Sequence, residues 1–145
     1  MLKEIRILLV EDNEGDIVLT MEALKEAKVH NTIDVARDGD LALRRLRKEG
    51  EFIHAQTPDI IFLDINLPKL DGNELLSIIK NDEALKVIPV IMLTTSDAEK
   101  DILQSYYNHA NCYITKPVDL EKFIDVIHQI KRFWISIVQL PKTQE

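Results

Sequence analysis

Cysteine occurs once, at Cys112, so no disulfide can close within the chain and no thiolate cluster can hold a metal. Glycine is scarce too, with four in 145 residues, and no Walker or dinucleotide glycine pattern is present. His30, His54, His109 and His128 lack metal-ligand spacing and read as surface or partly buried side chains. No apolar run approaches the roughly 20 residues that would span a bilayer. The first apolar run, Ile5 to Val10, is short and ends in Glu11-Asp12, which does not suit a secretory signal. Positive charge is in deficit: the formal net charge is -7, and lysines and arginines alternate with acids. That excludes the basic footprint of a nucleic-acid binder. What remains is a cytoplasmic protein, with neither membrane nor nucleic acid as partner.

The chain has 46% hydrophobic and 30% charged residues, the balance of one globular domain with a real core. Its organising stretch is Pro58-Asp59-Ile60-Ile61-Phe62-Leu63-Asp64-Ile65-Asn66-Leu67-Pro68. The apolar run reads as a strand covered on both faces, delivering Asp64 to a loop at its end. Four more strands are predicted, at Ile5 to Val10, Thr32 to Ala36, Val87 to Leu93 and Cys112 to Thr115. Pro89 falls near the start of the fourth, where a missing N–H is tolerable.

Helices are predicted between and after the strands. The first carries Ile17, Met21 and Leu24 on one stripe, with Asn13 or Asp16 as cap. A second opens at Asp38-Gly39-Asp40 and runs to near Gly50, and a third is capped by Asp71 and ends near Asn81. A fourth starts at Ser96-Asp97-Ala98-Glu99, and a fifth, capped by Asp119, carries Leu120, Phe123, Ile124, Ile127 and Ile130. Alternation of this kind predicts an α/β fold, a doubly wound parallel sheet of five strands with five helices.

In such a sheet, ligands bind beyond the carboxyl ends of the strands. There the polar residues converge: Glu11 and Asp12 after the first strand, Asp64 after the third, Thr94 after the fourth, Lys116 after the fifth. Three carboxylates held together repel one another, and a hard divalent cation such as Mg2+ removes that cost by taking oxygen ligands. Asp64 then has the chemistry of a nucleophile toward phosphorus. Lys116 can neutralise a phosphoryl oxygen and the Thr94 hydroxyl can donate to another.

The joint set Glu11-Asp12, Asp64 with Asn66 two residues on, Leu67-Pro68 followed by Asp71-Gly72, Thr94 and Lys116-Pro117 resembles the receiver domain of two-component response regulators. The resemblance runs from Ile5 to about Trp134. It implies the flavodoxin-like strand order 2-1-3-4-5. It further implies Asp64 as the acceptor of a phosphoryl group from a histidine kinase, Glu11 and Asp12 as the acidic pair, and the Asn66 backbone carbonyl as a metal ligand. Lys116 becomes the phosphate-contacting lysine, Thr94 the switch hydroxyl and Tyr113 the switch aromatic. Two departures from the usual pattern are Glu11, where many receivers have aspartate, and Thr95, where many have alanine. The first implies that Glu11 reaches the metal through water, and the second a narrower access that alters phosphate lifetime.

A narrower resemblance, carried by Val10 to Asp16, the Asp64 to Gly72 block and Phe133-Trp134 with its apolar tail, is to single-domain regulators paired with cyanobacterial phytochrome kinases. It divides the chain into a receiver domain at 1–135 and an apolar extension at 136–145 without an output domain. The final helix and extension hold more apolar residues than one buried stripe needs, which predicts a homodimer, with a tail from Ile135 to Pro141 folded back on its own domain as the alternative. The resemblance to receivers implies a face that combines helix four, strand five and helix five, with Tyr106, Phe133 and Trp134 in the interface. Competing readings fit less well. An aspartyl-phosphate phosphatase of dehalogenase type has Asp-x-Asp after its first strand, which Asp64-Ile65-Asn66 lacks, and a flavodoxin would find its phosphate repelled by Glu11-Asp12. A receiver-shaped scaffold that is never phosphorylated has no need of the full acid set.

Overall fold

The structure, a computed structural model, describes residues 4–26, 31–94 and 112–115, with Glu121 and Asp125. Five strands, β1 (Ile5–Val10), β2 (Asn31–Ala36), β3 (Ile60–Asp64), β4 (Val90–Thr94) and β5 (Cys112–Thr115), form one parallel sheet in the order β2-β1-β3-β4-β5. Three α-helices are described: α1 (Glu14–Glu26), α2 (Gly39–Leu46) and α3 (Gly72–Lys80). Glu121 and Asp125 are helical, and the rest of the two later helices expected from the sequence lies outside the described residues. No described helix is long and apolar enough to cross a membrane.

Strand alternation sorts the core into two layers. Ile5, Ile7 and Leu9 of β1, Ile60 and Phe62 of β3, and Ile91 and Leu93 of β4 pack with Ile17, Ala23 and Leu24 of α1. On the other face, Leu8, Val10, Ile61, Leu63, Val90 and Met92 pack with Ala42 and Leu46 of α2 and Leu75, Leu76 and Ile79 of α3. All five residues of β3 are buried, as a strand covered on both faces requires. Full burial of side chains such as Phe62 contributes about 1.5–3 kcal/mol each, so the central strand anchors the sheet and with it the position of Asp64.

Several element boundaries differ from the sequence expectation, each for a local reason. β4 begins at Val90 rather than Val87, because Pro89 has no N–H for the ladder. Its carbonyl still accepts from the Ile61 N–H at 3.0 Å, while Val87 stands exposed. α2 stops at Leu46, four residues before Gly50, because Lys48 turns left-handed at φ 56° and the chain then makes a 3-10 turn at Gly50–Phe52. Met21 lies on the exposed side of α1, its expected place on the inner face taken by Thr20, Ala23 and Leu24. Arg45 lies 4.9 Å over the Phe52 ring and pairs with Asp34 at 3.6 Å.

Candidate functional site

The carboxyl ends of β1 and β3 are neighbours, since Val10 pairs with Leu63, and the next residues are Glu11, just past β1, and Asp64, the last of β3. Both share the alternation of the α1 face, Glu11 with Ile7 and Leu9, Asp64 with Ile60 and Phe62. Glu11, Asp12 and Asp64 each bring a carboxylate oxygen within 4.8 Å of the others. Glu11 and Asp64 are buried and Asp12 is exposed, so the cluster opens to solvent on one side. Like charges held this close in a poorly solvated pocket need a cation or proton to balance them.

Local backbone orients two of the three acids. The Asn66 N–H donates to Asp64 Oδ1 at 3.2 Å, and the Asn13 N–H donates to Glu11 Oε2 at the same distance. The Glu11 N–H is itself held by the Ala36 carbonyl at 3.0 Å. Asn13 also starts α1: its Oδ1 accepts from the Asp16 N–H at 3.0 Å, which decides between the two caps the sequence left open. Asp71 caps α3 by accepting from the Asn73 N–H at 2.7 Å, as its position before the helix predicted.

The donor set fits a hard divalent cation. All three side chains offer oxygen, no histidine or cysteine joins them among the described residues, and two oxygens on opposite sides of Mg2+ lie about 4.2 Å apart, near the spread of this cluster. Thr94 ends β4 one residue beyond Leu93, which is the register partner of Asp64, so its backbone reaches the same rim. Asn66 lies in the loop just after Asp64, and Tyr113 is in β5 opposite Met92. Thr95, Tyr106, Lys116, Phe133 and Trp134 lie outside the described residues.

Residues 7–128 match the response regulator receiver domain. The chain belongs to that family. As a response regulator it has relatives along nearly its whole length: Rcp1 of Synechocystis sp. is 43% identical over 135 residues, covering 93% of this chain and 92% of Rcp1. The phosphorylated cyanobacterial phytochrome response regulator RcpA superposes with a TM-score of 0.81 at 47% identity, covering 93% of this chain and 96% of its own. The Mn2+-bound form of Rcp1 gives 0.79 at 42%, covering 90% and 94%. The expected receiver fold and the expected acidic site for a divalent metal are thus both present in this response regulator.

The sequence reading missed Asp38, Gly39, Lys69 and Leu70, which touch one another beside the site. Asp38 is buried and caps α2 through Oδ1, which accepts from the Leu41 N–H at 2.7 Å, while Oδ2 lies 3.7 Å from Lys69 Nζ. The available signal was the Asp38-Gly39 pair, read only as a helix opening.

Proposed function

We propose that this response regulator accepts a phosphoryl group from the phosphohistidine of a histidine kinase onto Asp64, with Mg2+ beside it, and that the aspartyl phosphate changes its protein contacts. The observation that carries this reading is Asp64, buried at the end of the central strand with the Glu11 and Asp12 carboxylates against it. An Asp64 oxygen attacks phosphorus, the P–N bond breaks, and its electron pair returns to the imidazole nitrogen, which takes up a proton as it leaves. Asp12, one oxygen of Asp64, the Asn66 carbonyl and Glu11, directly or through water, would hold the cation. When bound it supplies charge neutralisation for the phosphoryl oxygens.

Lys116 then neutralises a phosphoryl oxygen and the Thr94 hydroxyl donates to another, with Thr95 and Tyr113 completing the switch. The chain acts as a phosphoacceptor signalling protein in the cytoplasm rather than as an enzyme with turnover on a separate substrate. Its receiver domain spans 1–135, and 136–145 is an apolar extension. The similarity to Rcp1 and RcpA supports a phytochrome kinase as donor. The surplus apolar residues of the last third support a homodimer in which Tyr106, Phe133 and Trp134 take part, and proteins rather than nucleic acid as partners.

The test is labelling by phosphohistidine or a small acyl phosphate, with and without Mg2+. The parent should label only with the cation, and Asp64→Asn should abolish labelling. Acid-stable, metal-independent labelling of Asp64→Asn overturns the assignment. Sedimentation at several concentrations checks the dimer, which is refuted by a parent that stays monomeric with and without a phosphate analogue.

A further inference from the structure

Between Asp64 and α3 the chain makes a loop, 65–71, and two glycines outside it fix its path. At Gly72 a Cβ would fall on the Asp64 carbonyl group and the Ile65 Cα, and the Gly72 N–H donates to the Ile65 carbonyl at 2.9 Å. At Gly39, the first residue of α2, a Cβ would fall on the Leu70 carbonyl oxygen and on the Leu70 Cβ. The loop backbone is therefore seated directly on the start of α2. Beside that contact Lys69 adopts a left-handed φ of 67°, and the Leu70 N–H donates to the Pro68 carbonyl at 2.8 Å, closing a tight turn. Leu67 and Leu70 pack against the same core layer as Leu41.

Only Leu67, Pro68 and Lys69 separate Asn66 from Leu70. Proline fixes one φ of this connector and the left-handed Lys69 fixes another, so it has little freedom to absorb a shift. We propose that Gly39 is a positioning residue for the cation: α2, which contributes no ligand, sets the place of the Asn66 carbonyl by bearing on Leu70. This rests on the reading that the Asn66 carbonyl faces the metal. A methyl group at Gly39 meets backbone atoms of Leu70 that cannot rotate away, so the loop must move as a unit. The Lys69–Asp38 ion pair crosses the same junction, but Lys69 is mostly exposed and the pair adds little.

The experiment is calorimetric titration of the full chain with Mg2+ and with Mn2+, for the parent, Gly39→Ala, Lys69→Val and Lys69→Gly, with circular dichroism and urea unfolding of each. Gly39→Ala should weaken cation binding by about tenfold or more, the scale seen when a ligand's orienting partner is lost. Lys69→Val should weaken it several-fold, because a β-branched residue opposes a positive φ. Lys69→Gly loses the same ion pair but accepts that backbone, and should bind as the parent does. A parent that binds neither cation sinks the metal reading itself. Parental affinity in folded Gly39→Ala and Lys69→Val, with only the urea midpoint lowered, overturns the positioning role. Equal weakening in both Lys69 variants assigns the effect to the ion pair and overturns it too. Should Gly39→Ala fail to fold, the Lys69 pair decides alone.

Discussion

Two loops bring the carboxylates together, and they are built in opposite ways. The β1–α1 loop is three residues long, and short-range bonds hold most of it: Asn13 caps α1, and its N–H holds Glu11. The β3–α3 loop is seven residues long and leans on distant parts of the chain. Ile65 is tied to Leu93 of β4, Leu70 rests on Gly39, and Gly72 closes on Asp64 and Ile65. The short loop is specified by side chains that make hydrogen bonds, whereas the long one adds to such bonds two glycines that make room. A polar side chain advertises its role, whereas a contact made possible by a missing Cβ has no residue pattern of its own.

The largest effect should therefore come from filling that room. Gly72→Ala places a Cβ on the Asp64 carbonyl group, against strand backbone that cannot yield, and should destabilise the fold by about 3 kcal/mol, the upper range for overpacking. Urea unfolding measures it. A loss no greater than that of a helix cap would mean that the long loop gives way easily, and the contrast between the two loops would fail.

That contrast also decides what could be read from the sequence. The five strands, the parallel alternation and the three acids at strand ends were legible, because short apolar runs and terminal acids are local patterns. Asp71 was legible as a cap for the same reason. The start of β4 was misplaced at Val87, since an apolar run does not reveal that Pro89 delays the ladder to Val90. Nor does the sequence show that Lys48, a non-glycine, would turn left-handed and end α2 before Gly50. The seat of Leu70 on Gly39 stayed hidden because it joins residues far apart in the chain. The same holds for Gly72, whose reason is a close backbone approach to Asp64 and Ile65.

A smaller pair of changes sharpens the comparison from the other side. Asn13→Ala and Asp71→Ala each remove one helix cap, and each should cost about 1 kcal/mol by urea unfolding. Equal losses are expected although the loops differ, because a cap acts on its own helix. An Asp71→Ala loss approaching that of Gly72→Ala would show that the long loop also depends on its polar residues.

The smallest effect lies at the opposite rim, where a side chain rather than a glycine holds the chain after α3. Lys80, the last residue of α3, donates from Nζ to the Lys86 carbonyl at 3.1 Å and to the Ile88 carbonyl at 2.7 Å. Its half-burial strips water from the ammonium group and holds its pKa below the ordinary 10.5. Charge at Lys80 therefore opposes folding slightly while the group is protonated in both states. As pH rises through the lowered folded value toward 10.5, the folded chain gives up this proton before the unfolded chain does. The unfolded state then binds more protons, so stability rises with pH across that window. Lys80→Met removes the titration and leaves every other group in place. Urea unfolding of parent and variant over this range should show the parent gaining on Lys80→Met as pH increases. A difference that stays flat would mean that Nζ keeps its water, and that the two carbonyl contacts hold the segment without burying the charge.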